Sequence, residues 1–343
     1  MDDLASGRPH PRKSAGLALD RRTMFAGLMA ASAGWSVSSG AMAAAPMRPF
    51  RETGQAIDLW PGTPPGASAQ MPVEKIEDRS TIPGSPDRVI HGIARPRMVA
   101  FRPERPNGAS VLVIPGGGYR WMTLDKGGYQ IAQWLTEHGY TAFVLIYRLP
   151  GEGWANRADT PLADAQRAIR LIRARSAAWN LAPDRVATLG LSAGGHLCAD
   201  LASRFTTAAY VPVDAADTLS ARPWCAAPIY PVVSMDARIA HAGSREKLLG
   251  PDPSPRLEAL HSVDRVVTAN TPPHFLVHAE DDPTVPVENT LRLRAALKAA
   301  GVKVNTHLFD EGGHGFGIWN IAGKPVSAWP DLWLDWAGRV GLG

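Results

Sequence analysis

The stretch RVATLGLSAGGHLCAD, residues 185–200, runs from a short apolar segment through Gly190-Leu191-Ser192-Ala193-Gly194 into small residues that suit a helix. Two reasons could place a serine between glycines there. Small residues let a helix lie close to a sheet, and glycine supplies the backbone freedom of a tight corner. The other reason is chemical. A strand, sharp turn and helix carrying G-x-S-x-G lifts the serine above the sheet edge, where side chains at the flanking positions would collide.

The sequence around this stretch makes the strand–turn–helix setting concrete. Residues 111–114, 142–147, 186–191, 227–233, 275–279 and 303–309 read as short strands, the earlier ones as solid apolar runs. Helical patterns lie between or after them at 129–138, 161–178, 288–300 and 326–340, and an irregular segment with several short helices spans 234–273. In 161–178, Leu162, Ala165, Ile169 and Ile172 share one face and arginines the other. Buried apolar strands alternating with amphipathic helices predict an α/β fold with a mostly parallel sheet covered on both faces. In such sheets the active groups gather at the carboxyl ends of the strands.

A serine hydroxyl becomes a competent nucleophile when a histidine takes its proton and an acid orients that histidine. On this kind of scaffold the acid and the histidine follow the serine, each on a loop after a later strand. His314, between glycines in the loop after 303–309, is the best base among the ten histidines. His196 lies one helical turn past Ser192 and is read as structural; His278 sits within a strand run and is read as a core residue. The strand at 275–279 ends in Glu280-Asp281-Asp282, any of which could be the acid. Two backbone N–H groups must also face the developing oxyanion. Ala193 supplies one, and the glycine run after 111–114, through Gly117 and Gly118, supplies the other. That run has no G-K-[ST] and lacks G-x-G-x-x-G spacing, which argues against a phosphate or dinucleotide loop. No cofactor and no metal is expected: H-E-x-x-H or comparable ligand spacing is absent.

At 343 residues, 45% hydrophobic and 20% charged, the chain is globular in composition. Its opening differs from the rest. A basic stretch, Arg21-Arg22-Thr23-Met24-Phe25, a weakly apolar run to about Val37 and Ala41-Met42-Ala43 follow the order of a twin-arginine export signal. The expected organisation is a signal peptide at 1–43, an extended Pro/Gly/Ser-rich arm at 44–86 and a catalytic domain at 87–343, with a periplasmic or secreted location. Without 1–43 the chain keeps 31 basic against 29 acidic residues, which leaves no patch suited to nucleic acid. The apolar run is too short to span a bilayer. Cys198 and Cys225 either pair in an oxidising compartment or remain buried thiols.

These residues resemble the α/β-hydrolase esterases, more closely the acetylxylan esterase-like and lipase/esterase-like subgroup. The resemblance covers nearly all of the chain after its leader. It is carried by DLWPGTPPG, VIPGGGY, YRLP, PLADAQRAIRLIR, GLSAGGHL, GSREKLLG, DDPTVPVENT and GGHGFG. In that family the acid begins a D-x-x-V-P run, which implies Asp282 rather than Asp281. Pro115 stands where many esterases carry the histidine of His-Gly-Gly-Gly. The resemblance implies a serine esterase, with Ser192, Asp282 and His314 as its triad, that removes small acyl groups, above all acetyl, from plant polysaccharide fragments such as acetylated xylan. Its partner is then a small-molecule or oligosaccharide ester. A general short-chain or aryl (feruloyl-type) esterase and a serine peptidase on the same fold are the alternatives. Tyr119, Trp121 and Trp319 could stack on a sugar or an aromatic acyl group, or fill the core.

Overall fold

The computed structural model describes residues 54–343 apart from Gly84 and Asn320. The expected signal peptide at 1–43 lies outside the described residues. The described part of the segment read as an irregular arm carries β1 (Gln55–Asp58) and β2 (Lys75–Asp78), and β3 (Arg88–His91) and β4 (Arg97–Phe101) follow it. Then come β5 (Ser110–Ile114), β6 (Met122–Thr123), α1 (Gln130–Glu137), β7 (Thr141–Ile146), α2 (Thr160–Ala174), β8 (Val186–Leu191) and α3 (Ala193–Arg204). The second half holds β9 (Ala226–Ile229), α4 (Ala242–Leu249), α5 (Pro255–His261), β10 (His274–Ala279), α6 (Glu288–Ala299), β11 (Val304–Phe309) and α7 (Trp329–Arg339).

Eight strands form one sheet in the order β1-β4-β7-β5-β8-β9-β10-β11. The pairings from β7 to β11 are parallel, while β4 pairs antiparallel with both β7 and β1. The inner strands β5, β7, β8 and β10 are buried at every position, which is why they read as unbroken apolar runs. A separate antiparallel sheet joins β2, β3 and β6. The α/β-hydrolase architecture expected from the sequence is the one observed, with its core along the parallel strands.

The segment around Leu59 and Trp60 is tied to the domain by side chains from distant stretches. Trp60 Nε1 donates to Asp164 Oδ1 at 2.8 Å, and Arg148 donates through Nε and Nη2 to the same carboxylate. Arg148 and Asp164 are both fully buried, so each charge depends on the other. Arg167 also binds the Leu59 carbonyl and pairs with Asp214 and Asp217. Arg167 is itself buried, although it lies on the arginine face of α2. The helix also stops at Ala174, earlier than its periodicity suggested, and a 3₁₀ turn follows at Ala177–Trp179.

The site is located by the path of the chain. From β5 it crosses to β7 on one side, then returns past β5 to β8 on the other. The loops leaving β5 and β8 diverge there and leave a crevice at the carboxyl edge of the sheet.

Candidate active site

Leu191 ends β8 and Ser192 turns at φ +56°, ψ −119°, before α3 begins at Ala193. A positive φ is strained for serine, and the surroundings enforce it. A Cβ on Gly194 would overlap the carbonyl oxygens of Ile114 and Pro115, and one on Gly190 would come within 2.7 Å of the Cys198 Cβ. Both flanking glycines are thus steric requirements of a helix start pressed onto the sheet. Ser192 N–H donates to the Ile229 carbonyl at 3.0 Å, tying the turn to β9.

Ser192 Oγ lies 2.9 Å from His314 Nε2, and His314 Nδ1 lies 2.7 Å from Asp282 Oδ2. A carboxylate only accepts, so Nδ1 carries a proton and Nε2 is free to accept from the serine hydroxyl. Asp282 is fully buried, and its other oxygen accepts the Thr284 and Val285 N–H groups at 2.8 and 2.9 Å. Burial opposes its ionisation, but hydrogen bonds from His278 and His314, the electrostatic attraction of the His314 ring and the Val285 N–H prevail. They hold the carboxyl well below the usual range. Of the three adjacent acids, only Asp282 meets His314. Asp281 instead accepts Gly312 N–H at 2.9 Å and Gly313 N–H at 2.7 Å, which fixes the loop leading to the histidine.

The expected oxyanion donors lie at the same place. Ala193 opens α3, so its N–H has no partner within the helix. Gly117 (φ +133°) and Gly118 (φ +64°) turn the chain beside it, and both line the cleft with Ser192. Trp121 N–H and Arg120 N–H fold back to the Gly117 carbonyl. Among the described residues neither Gly117 nor Gly118 spends its own N–H on a backbone carbonyl.

These groups open into a cleft of about 910 Å³. Trp121 and Trp319 line it, as expected for residues able to meet a substrate. Tyr119 does not: of its two readings the core one holds, which corrects its place among the candidate substrate contacts. At φ +58° its side chain turns inward, is 1% exposed, and places its hydroxyl 2.7 Å from His196 Nδ1. His196 Nε2 donates to the His261 carbonyl, so that histidine is a satisfied core residue. Burial pushes its pKa down and keeps it neutral. Both cysteines are free and buried.

Three residues escaped the sequence reading. His278 is buried as expected, but its Nε2–H faces both Asp282 Oδ2 (3.2 Å) and the Val285 carbonyl (3.0 Å), buttressing the acid from behind. The alternation of β10 places it there, and nothing in the sequence told it from an ordinary core histidine. Tyr230, at φ +37°, ends β9 sooner than expected and packs edge-on against the His314 ring at 5.1 Å. His241 caps α4: Ser244 N–H donates to its Nδ1, so Nε2 carries the proton at the cleft wall. Burial and nearby His314 lower its pKa.

The BD-FAE family model matches residues 101–297, more than half of the chain. Over 226 residues the chain is 34% identical to an acetylxylan esterase of Xylanibacter ruminicola, a match covering 65% of this chain and 44% of that one. Over 210 residues it is 34% identical to endo-1,4-beta-xylanase B of Butyrivibrio fibrisolvens, covering 61% of this chain and 33% of that protein. The chain thus spans less than half the length of these curated relatives. Among solved structures, an acetyl ester-xyloside bifunctional hydrolase from Caldicellulosiruptor lactoaceticus superposes with a TM-score of 0.68 at 34% identity, covering 84% of this chain and 97% of that one. With the parallel sheet, the strained turn and the matched residues together, the chain belongs to the BD-FAE family, has the α/β-hydrolase fold and is similar to acetylxylan esterases.

Proposed function

We propose that the protein is a serine carboxylesterase that removes acetyl groups from plant-wall oligosaccharides such as acetylated xylan. The observation that carries this reading is the continuous hydrogen-bonded path Asp282–His314–Ser192 ending in an open cleft. His314 Nε2 takes the serine proton as Oγ attacks the ester carbonyl, and the imidazolium is stabilised by buried Asp282. The oxyanion that forms lies between the Ala193 N–H and the glycine turn at 117–118. As the intermediate collapses and the ester C–O bond breaks, His314 gives its proton to the leaving sugar oxygen, which departs as a hydroxyl and leaves an acyl-serine. Water, activated by the same histidine, then releases acetate. The names of the relatives support the sugar and the acyl group.

Ser192→Ala should lower kcat by about 10⁴-fold or more with the fold retained. It is tested on p-nitrophenyl esters from acetate to octanoate, on acetylated xylo-oligosaccharides and on a chromogenic peptide. Activity should fall from acetate through butyrate to near nothing at octanoate. Near-wild-type turnover by the variant, or an optimum at octanoate, would overturn the assignment. The reading also includes export through the Arg21-Arg22 signal. N-terminal sequencing of exported protein should find a start near Ala44, and a mature cytoplasmic form beginning at Met1 contradicts it.

A further inference from the structure

The chemistry proposed above leaves two features of the cleft wall unused: surplus positive charge, and the placement of that charge against indole rings. Arg79, Arg120, Lys126 and Lys247 line the cleft, against Asp87 and Glu246. Asp87 serves two cations at once, Arg79 at 3.2 Å and Lys126 at 3.0 Å. Arg120 and Lys247 have no carboxylate within ion-pair distance among the described residues. A half-enclosed cleft with one excess sign focuses its field on an incoming ligand of the opposite sign.

The same cations frame the aromatic side chains. The guanidinium carbons of Arg120 and Arg79 lie 4.9 and 5.4 Å from the Trp121 ring centre, and Lys126 Nζ lies 4.1 Å from that of Trp319. An indole with a cation beside it forms a two-part receptor. The ring takes the apolar face of a pyranose, and a guanidinium can take a carboxylate in bidentate fashion. A neutral acetylated sugar would use the rings and leave Arg120 and Lys247 unmatched.

We infer that the cleft accepts an acidic oligosaccharide ester, one carrying a uronic acid near the esterified sugar, with Arg120 and Lys247 as the countercharges of its carboxylate. The inference rests on the carbohydrate-ester reading above.

The test compares an acetylated xylo-oligosaccharide bearing a glucuronic acid branch with its carboxyl-reduced counterpart, which keeps the shape and loses the charge. At low ionic strength kcat/KM should be about 5- to 20-fold higher for the acid, shrinking to less than about 2-fold in 0.5 M NaCl. In an Arg120→Glu/Lys247→Glu double variant the ratio of the two should fall to 1 or below. Equal kcat/KM for the two esters at low salt, or a ratio unmoved in the double variant, overturns the inference. Failure of the ester reading has a different signature, since neither sugar ester would be deacetylated. Calorimetric titration of the wild-type protein with the two deacetylated oligosaccharides then decides by itself. Tighter binding of the acid, lost on adding salt, sustains the charge claim, and equal Kd values end it.

Discussion

At the floor of the cleft, a single added carbon on Gly194 would run into the backbone of Ile114 and Pro115, whereas at its rim the Trp319 side chain is 39% exposed with a lysine over its ring. The floor is assembled from backbone: an enforced positive φ at Ser192, a glycine turn and helix-end N–H groups, all just past the ends of β5 and β8 in the parallel part of the sheet. The rim is assembled from long side chains brought by separate elements. Arg79 and Asp87 come from the segment between β2 and β3, Trp121 precedes β6, Lys247 sits on α4 and Trp319 follows β11. Geometry that depends on close approach tolerates almost no change, while a wall of side chains can be retuned one residue at a time.

That contrast breaks most sharply at the acid. Asp282→Asn should cost about 10³- to 10⁴-fold in kcat, because an amide can present N–H to His314 Nδ1 and hold the ring in the wrong tautomer. Asp281→Asn, whose amide oxygen can still accept from Gly312 and Gly313, should stay within about 10-fold of wild type. Steady-state kinetics on p-nitrophenyl acetate for both purified variants checks this, and a dead Asp281 variant beside a live Asp282 variant would reverse the assignment. Next in size is a stability effect. Gly194→Ala should destabilise the fold by about 3 kcal/mol or more, since the atoms it meets are backbone. Gly62→Ala, where a Cβ meets nothing within 4 Å, should change stability by less than about 0.5 kcal/mol. Urea unfolding of the pair gives both numbers, and equal losses would remove the steric account of the floor. The smallest effect belongs to the rim. Trp121→Ala should leave kcat/KM for p-nitrophenyl butyrate relative to acetate within about 2-fold, because its ring is assigned to the sugar. A shift of about 3- to 10-fold would place the ring at the acyl end instead, where a methylene is worth about 1–3 kcal/mol.

The same division governs how much the sequence disclosed. Strands β5, β7, β8 and β10 were legible because burial on both faces writes them as continuous apolar runs. Ser192 and His314 were legible because glycines mark both loops. By contrast β1 and β2 have four residues each and are mostly exposed, so a pattern of that length does not stand out among Pro and Gly. Glu280, Asp281 and Asp282 are equivalent as residue types; what separates them is the turn after β10, which buries one and leaves its neighbour to cap a loop. Tyr119 was left open between substrate and core because proximity in sequence to the glycine turn says nothing of a φ that swings its ring to the interior. The rim cations and His241 meet only in three dimensions, and no local signal joins them.

The two cysteines carry a last consequence. Cys198 packs beneath the serine turn with its Sγ directed at Thr188 Oγ1, 3.2 Å away, and burial pushes its thiol up to about 12. Cys225 is equally enclosed and is likewise shifted upward by burial. With no other cysteine in the chain, the folded protein offers no thiolate to oxidants, alkylating reagents or mixed-disulfide partners. One cysteine introduced at an exposed rim position such as Arg120 would therefore be a unique attachment point for a spectroscopic label.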